Sequence, residues 1–173
     1  MLNFNIYVIV KYVTYTEVDY LFQVGDNIVY PMHGAGIIKA IEEKEILGKE
    51  QEYYVIEMLI GKMQVMIPAG KLMSLKIRPV TDIDDMKQIA STFQDGESDK
   101  LLPWKQRYKI NMDKIKTGKL NKIVEVVRDL MRMRELDGLN TSEKKMLDDA
   151  HEFLISELEL IEGITSNQIK SFS

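Results

Sequence analysis

Few side chains in this sequence stand where their type and spacing could support chemistry, and most of those read more simply as structure. There are no cysteines, so disulfides, thiolate catalysis and thiolate-ligated metal are excluded. The two histidines, His33 and His151, are far apart in sequence. That argues against a site built from several imidazoles and leaves an all-carboxylate metal site open. Gly34-Ala35-Gly36 lacks the third glycine, the following helix and the downstream acid of a dinucleotide-binding turn. Asp82, Asp84 and Asp85 directly precede Met86, Ile89 and Ala90, where carboxylates cap a helix and complement its dipole rather than move protons. His33 lies in the turn Pro31–Gly34 with no nucleophile or metal companion nearby, so it reads as a structural or partner-contacting residue. His151 falls among acidic residues and reads as a solvated helix histidine. No catalytic residue, metal, cofactor or small-molecule substrate is indicated, and the reading is that of a protein that is not an enzyme. The eleven methionines fall mostly on apolar stripes, where they fill a core.

One constellation resists this reduction. The only tryptophan, Trp104, follows Leu101-Leu102-Pro103 and precedes Lys105, Arg107 and Lys109. An aromatic ring at the start of a helix, with cations beside it, is what a wedge against nucleic acid requires. The cations neutralise phosphates and the ring fills the space left by an unstacked base step. The competing reading makes Trp104 a core anchor, as large aromatics usually are.

The charge distribution bears on that choice. The 173 residues carry a net charge of −4, but the sign is segregated. Residues 1–99 carry 9 basic and 15 acidic side chains, residues 100–134 carry 11 and 3, and residues 135–173 carry 3 and 9. A basic island of net +8 inside an acidic protein is either a polyanion-binding surface or a helix face paired with the acidic last segment.

These residues need elements to position them, and the chain supplies two kinds. Asn27–Tyr30, Gly36–Lys44, Glu52–Leu59, Lys62–Ile67 and, more weakly, Leu72–Ile77 are rich in β-branched and aromatic residues and are separated by Gly- and Pro-containing turns. Five short strands in about sixty residues predict a small, strongly bent SH3- or Tudor-like barrel. Tyr53–Met58 is apolar on both faces, so the strand is central or its second face meets a partner. After Pro79 the pattern is helical. Helices are predicted over Asp82–Phe93, from Pro103 towards Thr117, over Asn121–Leu136, and from Asn140, whose spacing to Glu143 is that of a capping box. Ile164–Ser173 is expected to fray. The fold class is α+β: residues 1–20 an amino-terminal extension, 21–80 the barrel, and 81–173 a compact helical domain. Phe4–Val18 is strand-like but lacks the basic start and cleavage site of a signal peptide and is too short to span a membrane. It is an added strand, a loose arm, or lies upstream of a true start near Leu21. The absence of cysteine fits a reducing, cytoplasmic setting.

The run VGDNIVYPMHGAGIIKAIE followed by GKEQEYYVIE resembles the amino-terminal domain of the CarD family (CarD/CdnL) of bacterial transcription regulators, a module shared with transcription-repair coupling factor. PWKQRYKINMDKI, KIVEVVRDL and GLNTSEKKMLDDA are similar to that family's helical domain, in the same order. The resemblance spans Phe22 to about Glu162. It implies a barrel that binds the RNA polymerase β subunit near its lobe. It also implies a helical domain that reaches promoter DNA at the upstream edge of the melted region, where a tryptophan wedge stabilises the open complex. Trp104 occupies the wedge position and Arg107 and Lys109 match basic positions, while Lys105 comes from the residue reading alone. Gln106 departs from a frequent arginine. On the polymerase side the candidates are Lys44, the strand residues Tyr53, Tyr54, Val55 and Ile56, and Met66, which stands where some relatives carry arginine.

Two other functions compete with this one. A free-standing nucleic-acid-binding module is disfavoured because residues 21–80 carry 7 basic and 7 acidic side chains and lack an electrostatic footprint. A structural adaptor without open-complex activity requires the basic island to be spent on the acidic last helix.

Overall fold

The computed structural model describes residues 22–95 and 102–172. The extension 1–20 lies outside them, as does Leu101. The architecture is α+β. Strands β1 (Asn27–Tyr30), β2 (Gly34–Ile46), β3 (Lys49–Met58), β4 (Gln64–Pro68) and β5 (Arg78–Pro79) form one antiparallel sheet in the order β4-β3-β2-β1-β5. Five helices follow: α1 (Ile83–Asp95), α2 (Trp104–Lys116), α3 (Leu120–Leu136), α4 (Thr141–Leu158) and the short α5 (Ser166–Lys170). Among the described residues no helix is long and apolar enough to cross a membrane.

The sheet bends because β2 breaks register between Ile38 and Ala40, and a bulge of this kind increases local twist. The fold encloses Phe22, Ile28, Ile38, Tyr54, Ile56, Met58, Ile67, Leu72 and Ile77. The apolar character of both faces of β3 follows from its central place between β2 and β4. β2 and β3 are joined at Leu47-Gly48, both at positive φ (56° and 73°), which matches the twist of a two-residue hairpin.

Leu72–Ile77 is not a strand. Ala69–Lys71 is a turn of 3-10 helix, and the chain then folds back through Leu75 N–H to the Lys71 carbonyl and Ile77 N–H to the Leu72 carbonyl. Leu72 and Ile77 are buried as anchors of this turn, which is why the segment carries strand-like residues without pairing. The fifth strand is Arg78–Pro79 instead.

The helical half is built on α3 and α4, whose apolar faces meet through Val126, Val127, Leu130, Leu147, Ala150, Leu154 and Leu158. Asp82 caps α1, its Oδ1 accepting from the N–H groups of Asp84 and Asp85 at 3.0 and 2.8 Å. Asn140 and Glu143 form the capping box of α4. The carboxy-terminal segment is ordered, contrary to expectation. Thr165 and Gln168 make a second capping box, and Phe172 is buried with its ring 5.0 Å from that of Phe93. His151 is accordingly no solvated residue. It is half-buried, with Nε2 3.1 Å from the Phe172 carbonyl oxygen.

The two halves are joined by a polar junction. Arg78 of β5 forks onto Glu157 of α4, with Nη1–Oε1 and Nη2–Oε2 both 2.7 Å, and donates from Nε and Nη2 to the Gly118 carbonyl at 2.8 and 2.6 Å. Thr81 adds its N–H and hydroxyl to Glu157 Oε1. Ala35 N–H donates to Ser156 Oγ, and Asn27 Nδ2 to the Leu160 carbonyl. Gly34 and Gly118 are where the halves touch most closely. Both have positive φ, and a Cβ on them would meet Ser156 Oγ at 2.8 Å and Pro31 Cγ at 2.6 Å respectively. Only glycine meets both demands.

Candidate functional site

Trp104 is the first residue of α2, after Pro103 in an extended conformation (φ −52°, ψ 142°). It belongs to neither hydrophobic core and is 46% exposed, so the core-anchor reading does not describe it. Helical spacing explains how the ring emerges. Trp104, Tyr108, Asn111 and Ile115 form one row (i, i+4, i+7, i+11). The later members are covered by the bundle, while the first overhangs its end. Lys105 Nζ sits 5.8 Å from the centroid of the Trp104 ring, within cation–π range.

The basic island divides into two sets. One set is paired. Lys114 reaches Glu125 and Asp129 at 3.1 and 3.8 Å, Lys122 reaches Glu125 at 2.6 Å, and Arg128 reaches Asp129 at 2.8 Å. Burial raises the affinity of the Glu125 carboxyl for its proton, but hydrogen bonds from Lys122 and Lys114, with their charges, outweigh it and hold the group below its ordinary value. The other set, Lys105, Lys109, Lys116, Lys119 and Arg134, is exposed and makes no ion pair among the described residues. At 3.6 residues per turn Lys105, Lys109 and Lys116 lie within about 40° of one another, a stripe along the solvent side of α2.

Arg107 does not belong to that stripe. Its side chain is 15% exposed. Nε and Nη2 donate to Glu143 Oε1 at 2.8 and 2.6 Å, and Nη1 donates to the Leu102 carbonyl at 3.0 Å. A guanidinium engaged at all three nitrogens is not displayed to an incoming phosphate as Lys109 is. The pair also ties the basic island to the last long helix.

On the sheet, Tyr54 and Ile56 are core residues. They pack with Ile28 and Met58, and the Tyr54 hydroxyl donates to the Phe22 carbonyl at 3.1 Å. Neither is presented to a partner. Tyr53 and Val55 take the opposite face and are themselves largely covered, while Met66, register partner of Val55, is 40% exposed. Lys44 stands on that same face, its Nζ 2.9 Å from Glu42 and 3.6 Å from Met66 Sδ. β4 is the outer strand, and among the described residues nothing pairs with its far edge.

Residues 22–81 match the family model for the CarD-like/TRCF RID domain, and residues 88–172 match that for the CarD carboxy-terminal domain. A curated relative, the candidate transcription factor YdeB of Bacillus subtilis, is 69% identical over 152 residues, which cover 88% of this chain and 99% of that protein. The chain belongs to the CarD family of transcription regulators. Two solved amino-terminal domains from Myxococcus xanthus are also similar, each with a TM-score of 0.30 and covering 34% of this chain. They are CarD, 31% identical over 77% of its chain, and CdnL, 39% identical over 83% of its chain. In this family member the junction role of Gly34, Arg78, Gly118 and Glu157 is not read from the sequence, where the two glycines stand only as turn and helix-end residues. The signal that existed was a charged arginine directly before Pro79 and a glutamate inside an apolar helical stripe.

Proposed function

We propose that this chain regulates transcription initiation in the cytoplasm by docking on the RNA polymerase β subunit through its sheet and bracing promoter DNA through α2. The observation that carries the reading is Trp104, half-exposed at the amino end of a helix whose solvent side is a stripe of lysines that make no ion pair among the described residues. The lysines supply sequence-independent attraction to phosphates. The ring enters the minor groove at the distorted step on the upstream edge of the melted region and slows its collapse. Docking uses the edge of β4 that nothing pairs with among the described residues, by strand addition, with Met66 and Lys44 on the adjoining face.

The test is the lifetime of the promoter open complex on polymerase with and without the protein. An inserted ring recovers roughly 1–2 kcal/mol of the unstacking cost, so Trp104→Ala is expected to shorten the lifetime about tenfold. Because Trp104 lies outside both cores, the variant should keep its melting temperature and its retention on the β lobe. A normally folded Trp104→Ala that still stabilised open complexes fully would end the wedge reading and leave the structural-adaptor alternative.

A further inference from the structure

The amino end of α2 is poorly supported by its own residues. Its N-cap, Pro103, makes no side-chain capping bond, and its first turn contains no acidic residue. What holds it is Arg107, one turn into the helix and a surface neighbour of Trp104 at i+3. The three nitrogens of Arg107 tie the Leu102 carbonyl, just ahead of the helix, to Glu143 in the first turn of α4. Glu143 is itself immobilised. It is 2% exposed, its Oε1 takes Arg107, and its Oε2 accepts from Asn140 Nδ2 at 2.8 Å and from the Asn140 N–H at 3.4 Å. Its place in the first turn of α4 also sets its carboxyl group beside the positive end of that helix's dipole.

We propose that Arg107 is a positioning residue. Through Glu143 it fixes where Trp104 stands, and it does not serve as a phosphate contact. The inference rests on the wedge reading given above. A lysine could not do the same, because a point charge lacks the planar array of donors that grips a carboxylate and a carbonyl together. The consequence is that Glu143, which faces inward and touches no DNA in this scheme, governs open-complex lifetime.

Trp104 is the only tryptophan, so its fluorescence reports its own position in the free full-length protein. Arg107→Gln and Glu143→Gln are each expected to lower Trp104 anisotropy and increase quenching by iodide in the absence of DNA. Both should shorten open-complex lifetime by about tenfold at most, and the double variant should be no worse than either single one. The salt slope of promoter binding should stay unchanged in Arg107→Gln, whereas loss of a phosphate contact would lower it by about one unit. A lowered slope in Arg107→Gln together with a normal lifetime in Glu143→Gln would overturn the assignment. Should a glutamine variant fail the circular-dichroism control, Arg107→Lys keeps the charge. It should still loosen Trp104 if the three-point grip matters, and unchanged anisotropy would refute it. If Trp104→Ala has no effect on lifetime, the wedge reading fails by itself, and the anisotropy of the free protein still decides whether Arg107 positions the ring.

Discussion

Two arginine–glutamate pairs with buried carboxylates use α4, one at each end. Glu143, in its first turn, holds Arg107 of α2, and Glu157, in its last turn, holds Arg78 of β5. At roughly 1.5 Å per residue the two carboxylates are about 21 Å apart along the helix axis. The pairs differ in what they join. Arg78–Glu157 is a two-oxygen fork between the two halves of the molecule, supported by Thr81 and the Gly118 carbonyl. Arg107–Glu143 is a grip on one oxygen inside the helical half, which leaves the other oxygen to the helix cap. α4 thus acts as a spacer. One end is fastened to the sheet, the other to the helix that carries Trp104, and neither fastening is a flexible linker.

The comparison is broken most severely at the sheet end. Glu157→Ala would leave the Arg78 guanidinium with only the Gly118 and Pro79 carbonyls to neutralise its charge, and the Thr81 N–H without its acceptor; removing one partner of a buried pair costs about 3–5 kcal/mol. Denaturant unfolding should show that loss. Separate transitions for the two halves would show that this pair is what makes them unfold together. An unchanged midpoint would mean that the glycine-permitted contacts and the Asn27 and Ala35 bonds suffice alone.

A smaller effect contrasts a displayed cation with these engaged ones. Lys109 makes no ion pair among the described residues, so Lys109→Ala should leave stability within about 0.5 kcal/mol of the parent and weaken promoter binding uniformly across sequences. The salt slope should fall by about one unit. A variant with an unaltered slope would place the DNA elsewhere on the helical half.

The smallest effect concerns the half-exposed pairing around Glu125. Its proton affinity is lower in the folded state, so it contributes stability that is present above the ordinary carboxylate range and lost as pH falls through the folded value. Glu125→Gln should lower stability slightly at neutral pH, flatten the acid limb of the stability profile below about pH 4.5, and converge with the parent at low pH. An identical acid limb in the variant would show that Lys114 and Lys122 find equal partners without it.

Local chemistry was legible in the sequence, and long-range geometry was not. The strands β1 to β4, the glycine-marked turns, the Asp82 cap and the Asn140–Glu143 box follow from periodicity and capping rules that act over a few residues. Leu72–Ile77 misled because two buried anchors in a turn have the same composition as a weak strand. The carboxy-terminal segment was underrated because Phe172 gains its order from Phe93, far away in sequence. Tyr54 and Ile56 looked like partner contacts because an apolar face does not say whether the protein or a partner covers it. The pairing of Arg107 was hidden because a cation's sequence neighbours do not reveal a carboxylate 36 positions on.

The far edge of β4, with which nothing pairs among the described residues, bears on how copies of the protein meet. An unpaired strand edge is a template for any other strand, including that of a second copy. Here the edge is only five residues long and ends in Pro68, which has no N–H to offer. An antiparallel neighbour can therefore draw on only about two or three of its residues. Such an edge is too short to propagate from copy to copy, so it discriminates in favour of a large partner that brings additional surface. In a cell, that shortness would let the protein accumulate in excess of its partner without aggregating.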